Sequence, residues 1–203
     1  KANASLPLEK LVAVFDAPQI GTARADQARL ALQLDPLPEG EAAAPMGGTR
    51  YRIGGAITEL AGASAPADPT ASADLTWDAH ITLPVALNKA VLETGLLPRP
   101  QAIDLTAFTA EWSGARMTAS GQLSVLSSGY LDGPLDLEIE DPARFTAALR
   151  ESAVLPEDQI RLIEKVLSAI RSRDGGVTLP LTFTRGQTVL AGLFPLGPAP
   201  RLP

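Results

Sequence analysis

Alternation of apolar and polar residues is the feature that most constrains how this chain folds. Over Ala73–Leu83, every odd-numbered residue is apolar and every even-numbered residue is polar. A β-strand directs successive side chains to opposite faces, so the pattern predicts a strand with one buried face and one face in water. The same pattern, less strict in places, recurs in residues 28–34, 117–125, 135–140 and 177–183. One-faced strands of this kind are typical of antiparallel sheets.

Three segments have the features of helices: residues 84–93, Pro142–Ser152 and residues 156–173. The third has the clearest pattern, because Glu157 and Asp158 in its first turn favour the helix dipole and its apolar residues recur at helical spacing. That apolar stripe consists of Ile160, Ile163, Val166, Leu167 and Ile170. We expect the stripe to dock on the sheet.

Together these elements predict an α+β fold: a large twisted antiparallel sheet of roughly eight or more strands, with helices packed on its apolar face. The length suits a single domain over residues 1–203. A strand with Trp77 leads into a helix, and a later strand with Trp112 leads on to two more. This order indicates a weak internal duplication, about 70–95 and 103–173.

Glycine and proline residues are expected to make several of the strand candidates irregular. Weaker candidates are residues 11–15, 51–60 and 103–112, and the pair Gly54-Gly55 predicts a bulge or tight bend in the second of them. Pro180 cannot donate a ladder hydrogen bond, so its strand is predicted to lie at an edge or to carry a bulge. Four of the last nine residues are proline, which predicts an extended tail over the surface.

Composition argues against most kinds of catalytic site. The chain has no Cys and one His, His80, which lies on the polar face of its strand and is interpreted as a solvated side chain. A nucleophile–base pair needs an imidazole or another base, and transition-metal sites draw on several His or Cys. We therefore predict no catalytic residues, no cofactor and no metal ion. The net charge of −6 argues against nucleic acid as a partner.

The acidic and the aromatic residues are both considered as candidate binding sites. Asp136, Glu138 and Glu140 fall on one strand face and are interpreted as solvated, because their spacing does not match a calcium-binding loop. The aromatic residues are few, at 4% of the chain. Four of them either fill the core or line an apolar groove that accepts a lipid: Trp77, Phe108, Trp112 and Phe183.

The chain has no run of eighteen apolar residues, so no segment of it is predicted to span a bilayer. It begins with Lys1 rather than Met. We therefore expect it to be a fragment, with a targeting or anchoring segment upstream.

The C-terminal sequence resembles a known bacterial family. Residues 177–190 form a strand, a turn and a second strand, and a Leu-Gly-Pro-Ala-Pro tail follows in residues 196–200. With residues 83–88, Leu-Pro-Val-Ala-Leu-Asn, this is similar to an alphaproteobacterial family known only as domain of unknown function twenty-one twenty-five. The resemblance implies a periplasmic body anchored to the inner membrane through a segment absent from this chain. It transfers no catalytic residue, because the family has no established activity.

Two functions from different classes are predicted. The first is a non-catalytic envelope binding or scaffold module whose apolar groove holds a lipid acyl chain or a hydrophobic partner segment. A more distant likeness to the large AsmA-type envelope proteins, which are linked to lipid transport, points the same way by analogy. The alternative is a carboxylate-dependent hydrolase of the cell envelope, which needs two acidic residues that converge in a cleft. The sequence does not decide whether the protein is an enzyme, and it favours a non-catalytic role.

Overall fold

Antiparallel strands in a single ten-stranded sheet dominate the architecture. The structure is a computed structural model that describes residues 6–21, 23–35, 48–61, 72–152, 155–170 and 176–202. The strands are β1 Lys10–Asp16, β2 Gln19–Ile20, β3 Ala23–Arg24, β4 Gln27–Leu34, β5 Thr49–Leu60, β6 Ala73–Leu83, β7 Ala102–Trp112, β8 Ala115–Val125, β9 Leu131–Ile139, β10 Val177–Thr184, β11 Gln187–Leu190 and β12 Phe194–Pro198. The helices are α1 Lys89–Glu93, α2 Pro142–Ser152 and α3 Glu157–Ile170.

Apart from β2 and β3, the strands form a meander in which each one pairs with the next along the chain. Its order is β1-β4-β5-β6-β7-β8-β9-β10-β11-β12, and the short β2–β3 pair forms a separate ribbon. All five alternating segments are confirmed as strands, namely β4, β6, β8, β9 and β10, with ends that shift by a few residues. Because most of the described chain is sheet, with three helices as a minor part, the α+β class describes it only loosely.

Side-chain caps set where the helices begin. The Asp141 carboxylate accepts hydrogen bonds from the backbone N–H groups of Ala143 and Arg144, at 3.0 Å each, so α2 begins at Pro142 as predicted. The predicted start of the first helix at residue 84 is wrong. Asn88 has an extended backbone, and its side-chain oxygen accepts the Val91 N–H at 3.0 Å, so α1 begins only at Lys89. The last predicted residues of α3, 171–173, lie outside the described residues.

One face of the sheet is apolar from β1 to β11, and three clusters of buried side chains pack on parts of it. The first lies under α2 and α3, where Phe145, Ile163 and Leu167 contact Ile139, Leu179 and other strand residues. The second joins the buried Ala199 of the C-terminal segment to Leu123, Leu131 and Phe183. The helices therefore cover one region of the apolar face rather than all of it.

The third cluster surrounds Tyr51, which is fully buried beside Leu83 and Leu87. The Tyr51 hydroxyl oxygen accepts the backbone N–H of Leu87 at 2.9 Å, which ties the segment before α1 to the sheet. Burial raises the pKa of Tyr51, and the hydrogen bond from Leu87 opposes that rise.

The prediction for Pro180 is wrong, because β10 is an interior strand between β9 and β11. Pro180 lies opposite Asp136 in β9, and the last register pair of β10 with β11 is Leu181 with Leu190. The Pro180 carbonyl accepts the Ala191 N–H at 2.8 Å, so its missing N–H would also point towards β11, at the point where β11 ends. Pro180 therefore removes only one hydrogen bond, at the end of the β10–β11 ladder.

Candidate functional site

Seven large apolar side chains of β4 to β7 lie next to one another on the apolar face, outside the three packed clusters. We call this set the open apolar patch: Leu30, Ile53, Ile57, Leu75, Trp77, Leu105 and Phe108. Cross-strand partners share a sheet face, and the register joins these residues from β4 through β7, for example Leu75 opposite Ile57 and Trp77 opposite Phe108. Leu30 is exposed and the other six are half-buried. The described helices pack on the clusters beside this patch: α2 and α3 join the first cluster, and Val91 of α1 packs on the Tyr51 cluster.

Trp77 lies at the centre of the open apolar patch because Gly55 leaves room for it. A Cβ atom at Gly55 would overlap Cζ2 of the Trp77 ring, and it would also lie 2.7 Å from the Arg29 carbonyl oxygen. The indole therefore lies directly over the Gly55 backbone, in the strand next to its own. The bulge or bend predicted at Gly54-Gly55 is wrong: β5 stays in register there, and its irregularity falls between Ile57 and Leu60.

We expect Gly55→Ala to lower the free energy of unfolding by about 1–3 kcal/mol, because the new methyl group displaces the Trp77 ring. Gly54→Ala is the matched control. Its Cβ would meet only the Trp77 carbonyl oxygen, at an ordinary 3.5 Å, and alanine is favoured over glycine in a strand. Urea unfolding of both variants measures the difference. If Gly55→Ala were as stable as Gly54→Ala, the indole would not lie over Gly55.

A bulge in β7 keeps two patch residues on the same face. Leu105 pairs with Gly121 and Phe108 pairs with Ala119, so three residues of β7 match two of β8. The interpretation of residues 103–112 as a strand is confirmed, but its bulge was missed. The signal was in the sequence: apolar residues occupy odd positions up to Leu105 and even positions from Phe108 onward.

The structure places the other two predicted groove residues in packed clusters. Trp112 contacts Phe145 of α2 edge-on, with ring centroids 5.6 Å apart and an interplanar angle of 72°. Phe183 is buried beside Leu123, Leu131 and Ala199. All four aromatic residues share the apolar face of the sheet, but only Trp77 and Phe108 are adjacent to each other. That these residues line a ligand site stays a prediction.

The opposite face of the sheet carries a charged cluster around His80. Asp35 lies 3.3 Å from both the Arg50 guanidinium and His80 Nε2, and Arg50 also lies 3.6 Å from Asp104. The His80 side chain is only 23% exposed, so the interpretation of a solvated histidine is wrong. The exposure of His80 is low because it lies in β6, between the β5 and β7 strands that carry Arg50 and Asp104.

A second ion pair lies beside this cluster on the same face. Arg52 donates two hydrogen bonds to Asp78, at 2.9 Å and 2.6 Å. This bidentate contact lowers the pKa of Asp78 and raises that of Arg52. It contributes stability above the ordinary pKa of an aspartate, and that stability is lost as the pH falls through the lowered pKa.

The charged cluster has a carboxylate beside a histidine, as a catalytic triad does, but no nucleophile is part of it. The Asp35 carboxylate is placed to hold the His80 ring, whereas His80 Nδ1 is buried with no hydrogen-bond partner among the described residues. Glu138 and Glu140 of the acidic face accept contacts from Thr118 and Arg116. In the part of the chain that the structure describes, no group of three or more His, Asp or Glu is placed to hold a metal ion. The hydrolase alternative stays a prediction.

The comparisons with known proteins identify a family. The model of a protein family described as "Uncharacterized protein conserved in bacteria (DUF2125)" matches residues 2–200. No curated protein and no solved structure matches the chain. None of the described helices is long and apolar enough to cross a membrane.

Proposed function

The chain belongs to this DUF2125 family, and we propose that it is a non-catalytic envelope module that binds a lipid acyl chain on the open apolar patch. The periplasmic location, and an inner-membrane anchor outside this chain, are part of the same proposal. The observation that carries it is the apolar surface of the open apolar patch, which lies outside the clusters on which the described helices pack. Ligand sites are lined mainly by hydrophobic and aromatic side chains, as this patch is.

The side chains of the patch suit an acyl chain better than a polar ligand. Five of its seven members are Leu or Ile, which offer apolar contact without directional hydrogen bonding. Each CH₂ group removed from water contributes about 0.8 kcal/mol. The nearby charges of Arg50, Arg52, Asp78 and His80 lie on the opposite sheet face and are paired with one another or with Asp35. They supply no polar contact to a ligand on the patch.

A series of saturated fatty acids of increasing length tests this proposal. Below their micelle concentrations, the dissociation constant should fall by up to about fourfold for each added CH₂ group. Isothermal titration calorimetry measures this slope and should also give a negative heat-capacity change. Dissociation constants that do not depend on chain length would contradict burial of the acyl chain.

A matched pair of variants locates the binding surface. Leu75→Asn places an amide within the patch and should weaken binding by about tenfold. Leu97→Asn makes the same change at an exposed leucine between α1 and β7, outside the patch, and should leave binding unchanged. Circular dichroism confirms that both variants fold. If Leu97→Asn weakened binding as much as Leu75→Asn, the fatty acid would bind elsewhere.

A further inference from the structure

The first strand of the sheet has the properties of a pairing edge. β1 is the terminal strand on one side of the sheet and pairs only with β4 among the described strands. Its central residues, Leu11–Phe15 in the sequence Leu-Val-Ala-Val-Phe, carry no charge. Leu11, Val12, Val14 and Phe15 are 45% to 58% exposed, although they lie on both faces of the strand. An exposed apolar edge of this kind is a template for another strand.

The opposite edge of the sheet, β12, is protected against pairing with another strand, whereas β1 is not. β12 contains Pro195 and Pro198 and only five residues. Proline cannot donate to an added strand, and short edge strands resist pairing. β1 has no proline and no central lysine, so it lacks the usual protection.

The pairing of β1 with β4 fixes which backbone groups of β1 point outward. Glu9 O accepts from Leu34 N, and Ala17 N donates to Asp26 O, so odd-numbered residues form the hydrogen-bonded pairs with β4. Hydrogen-bonded and non-hydrogen-bonded pairs alternate along an antiparallel ladder. The N–H and C=O groups of the even-numbered residues, from Lys10 to Asp16, are therefore directed to the free side.

We propose that two copies of this chain pair through β1, antiparallel and with the two-fold axis at Ala13. In this register Val12 pairs with Val14 of the second copy, and even-numbered residues meet only even-numbered residues. About eight outward hydrogen bonds form in this way. Lys10 lies beside Asp16 of the second copy at each end of the ladder, so opposite charges mark this register.

The charges at the two ends of β1 favour a second copy over an unrelated strand. Within the part of the chain that the structure describes, Lys10 has no ion-pair partner. Asp16 accepts one hydrogen bond from Gln27 Nε2, at 3.0 Å, and its second carboxylate oxygen remains for Lys10. The pairing also keeps Leu11, Ala13 and Phe15 on the face of the open apolar patch in both copies, because Ala13 lies opposite Leu30. The apolar face then continues across the two-fold axis.

Exchanging the charges of Lys10 and Asp16 tests the register of the β1–β1 pairing. Sedimentation equilibrium of the 203-residue chain should show a dimer that dominates by roughly 0.1 mM. Lys10→Asp and Asp16→Lys each bring like charges together twice per dimer, and each should weaken association by about tenfold. The double variant restores opposite charges and should recover wild-type association. A double variant as weak as either single variant would overturn the register.

A single introduced cysteine tests the two-fold axis, since the chain has no native Cys. Ala13→Cys places two thiols across a non-hydrogen-bonded pair, with Cα atoms about 4.5 Å apart, which suits a disulfide. Leu11→Cys is the control, because its thiols would lie roughly 13 Å apart. Mild oxidation should cross-link Ala13→Cys alone. A chain that stays monomeric at roughly 0.1 mM, or that cross-links equally at both positions, would overturn the proposal.

Discussion

Replacement of Ile163 by aspartate is expected to lower the free energy of unfolding by roughly 3–5 kcal/mol. Ile163 lies in the middle of α3, is 6% exposed, and belongs to the cluster that packs α2 and α3 on the sheet. The substitution removes buried methyl groups and puts an unpaired carboxylate among Ile139, Leu167 and Leu179. Chemical denaturation followed by circular dichroism measures the loss.

Ala169→Asp is the control for this change. Ala169 is exposed on the same helix, so its carboxylate stays in water and meets only the unfavourable end of the helix dipole. We expect a loss of about 0.5–1 kcal/mol. An Ile163→Asp variant that unfolds at the wild-type midpoint would show that the apolar stripe of α3 does not pack on the sheet.

Leu179→Ala is expected to lower the free energy of unfolding by about 2–5 kcal/mol, because it leaves a cavity beneath α3. Leu179 is 2% exposed in β10, opposite Leu137 of β9, and contacts the cluster that contains Ile163 and Leu167. Thermal and urea unfolding measure the loss. Leu193→Ala removes the same atoms from an exposed turn between β11 and β12, where we expect a change within about 0.5 kcal/mol. Equal effects of the two variants would contradict a packed core at β10.

The strands were predictable because their signal is local. A period of two in Ala73–Leu83 needs no knowledge of the neighbouring strands, and the structure has a strand with these bounds. The start of α2 was predictable for the same reason, since Asp141 and Pro142 are adjacent in the chain.

The environment of each strand was harder to predict, because it depends on residues far away in the sequence. Trp77 and Trp112 occupy similar apolar positions of alternating strands. Trp112 packs against Phe145 of α2, whereas Trp77 lies over Gly55 and belongs to none of the three packed clusters. The prediction that Pro180 lies in an edge strand or at a bulge was wrong for a related reason. An interior strand can contain Pro180 only because β11 ends beside it, which the sequence around Pro180 does not reveal.

Bromine quenching of tryptophan fluorescence is the most direct test of acyl-chain binding at the open apolar patch. Trp112→Phe retains Trp77 in the patch, and Trp77→Phe retains Trp112 under α2. A fatty acid with bromine atoms midway along its chain quenches an indole only near contact. We predict saturable quenching in Trp112→Phe and little quenching in Trp77→Phe. Quenching of Trp112 alone, or of neither residue at saturating ligand, would contradict acyl-chain binding on the patch.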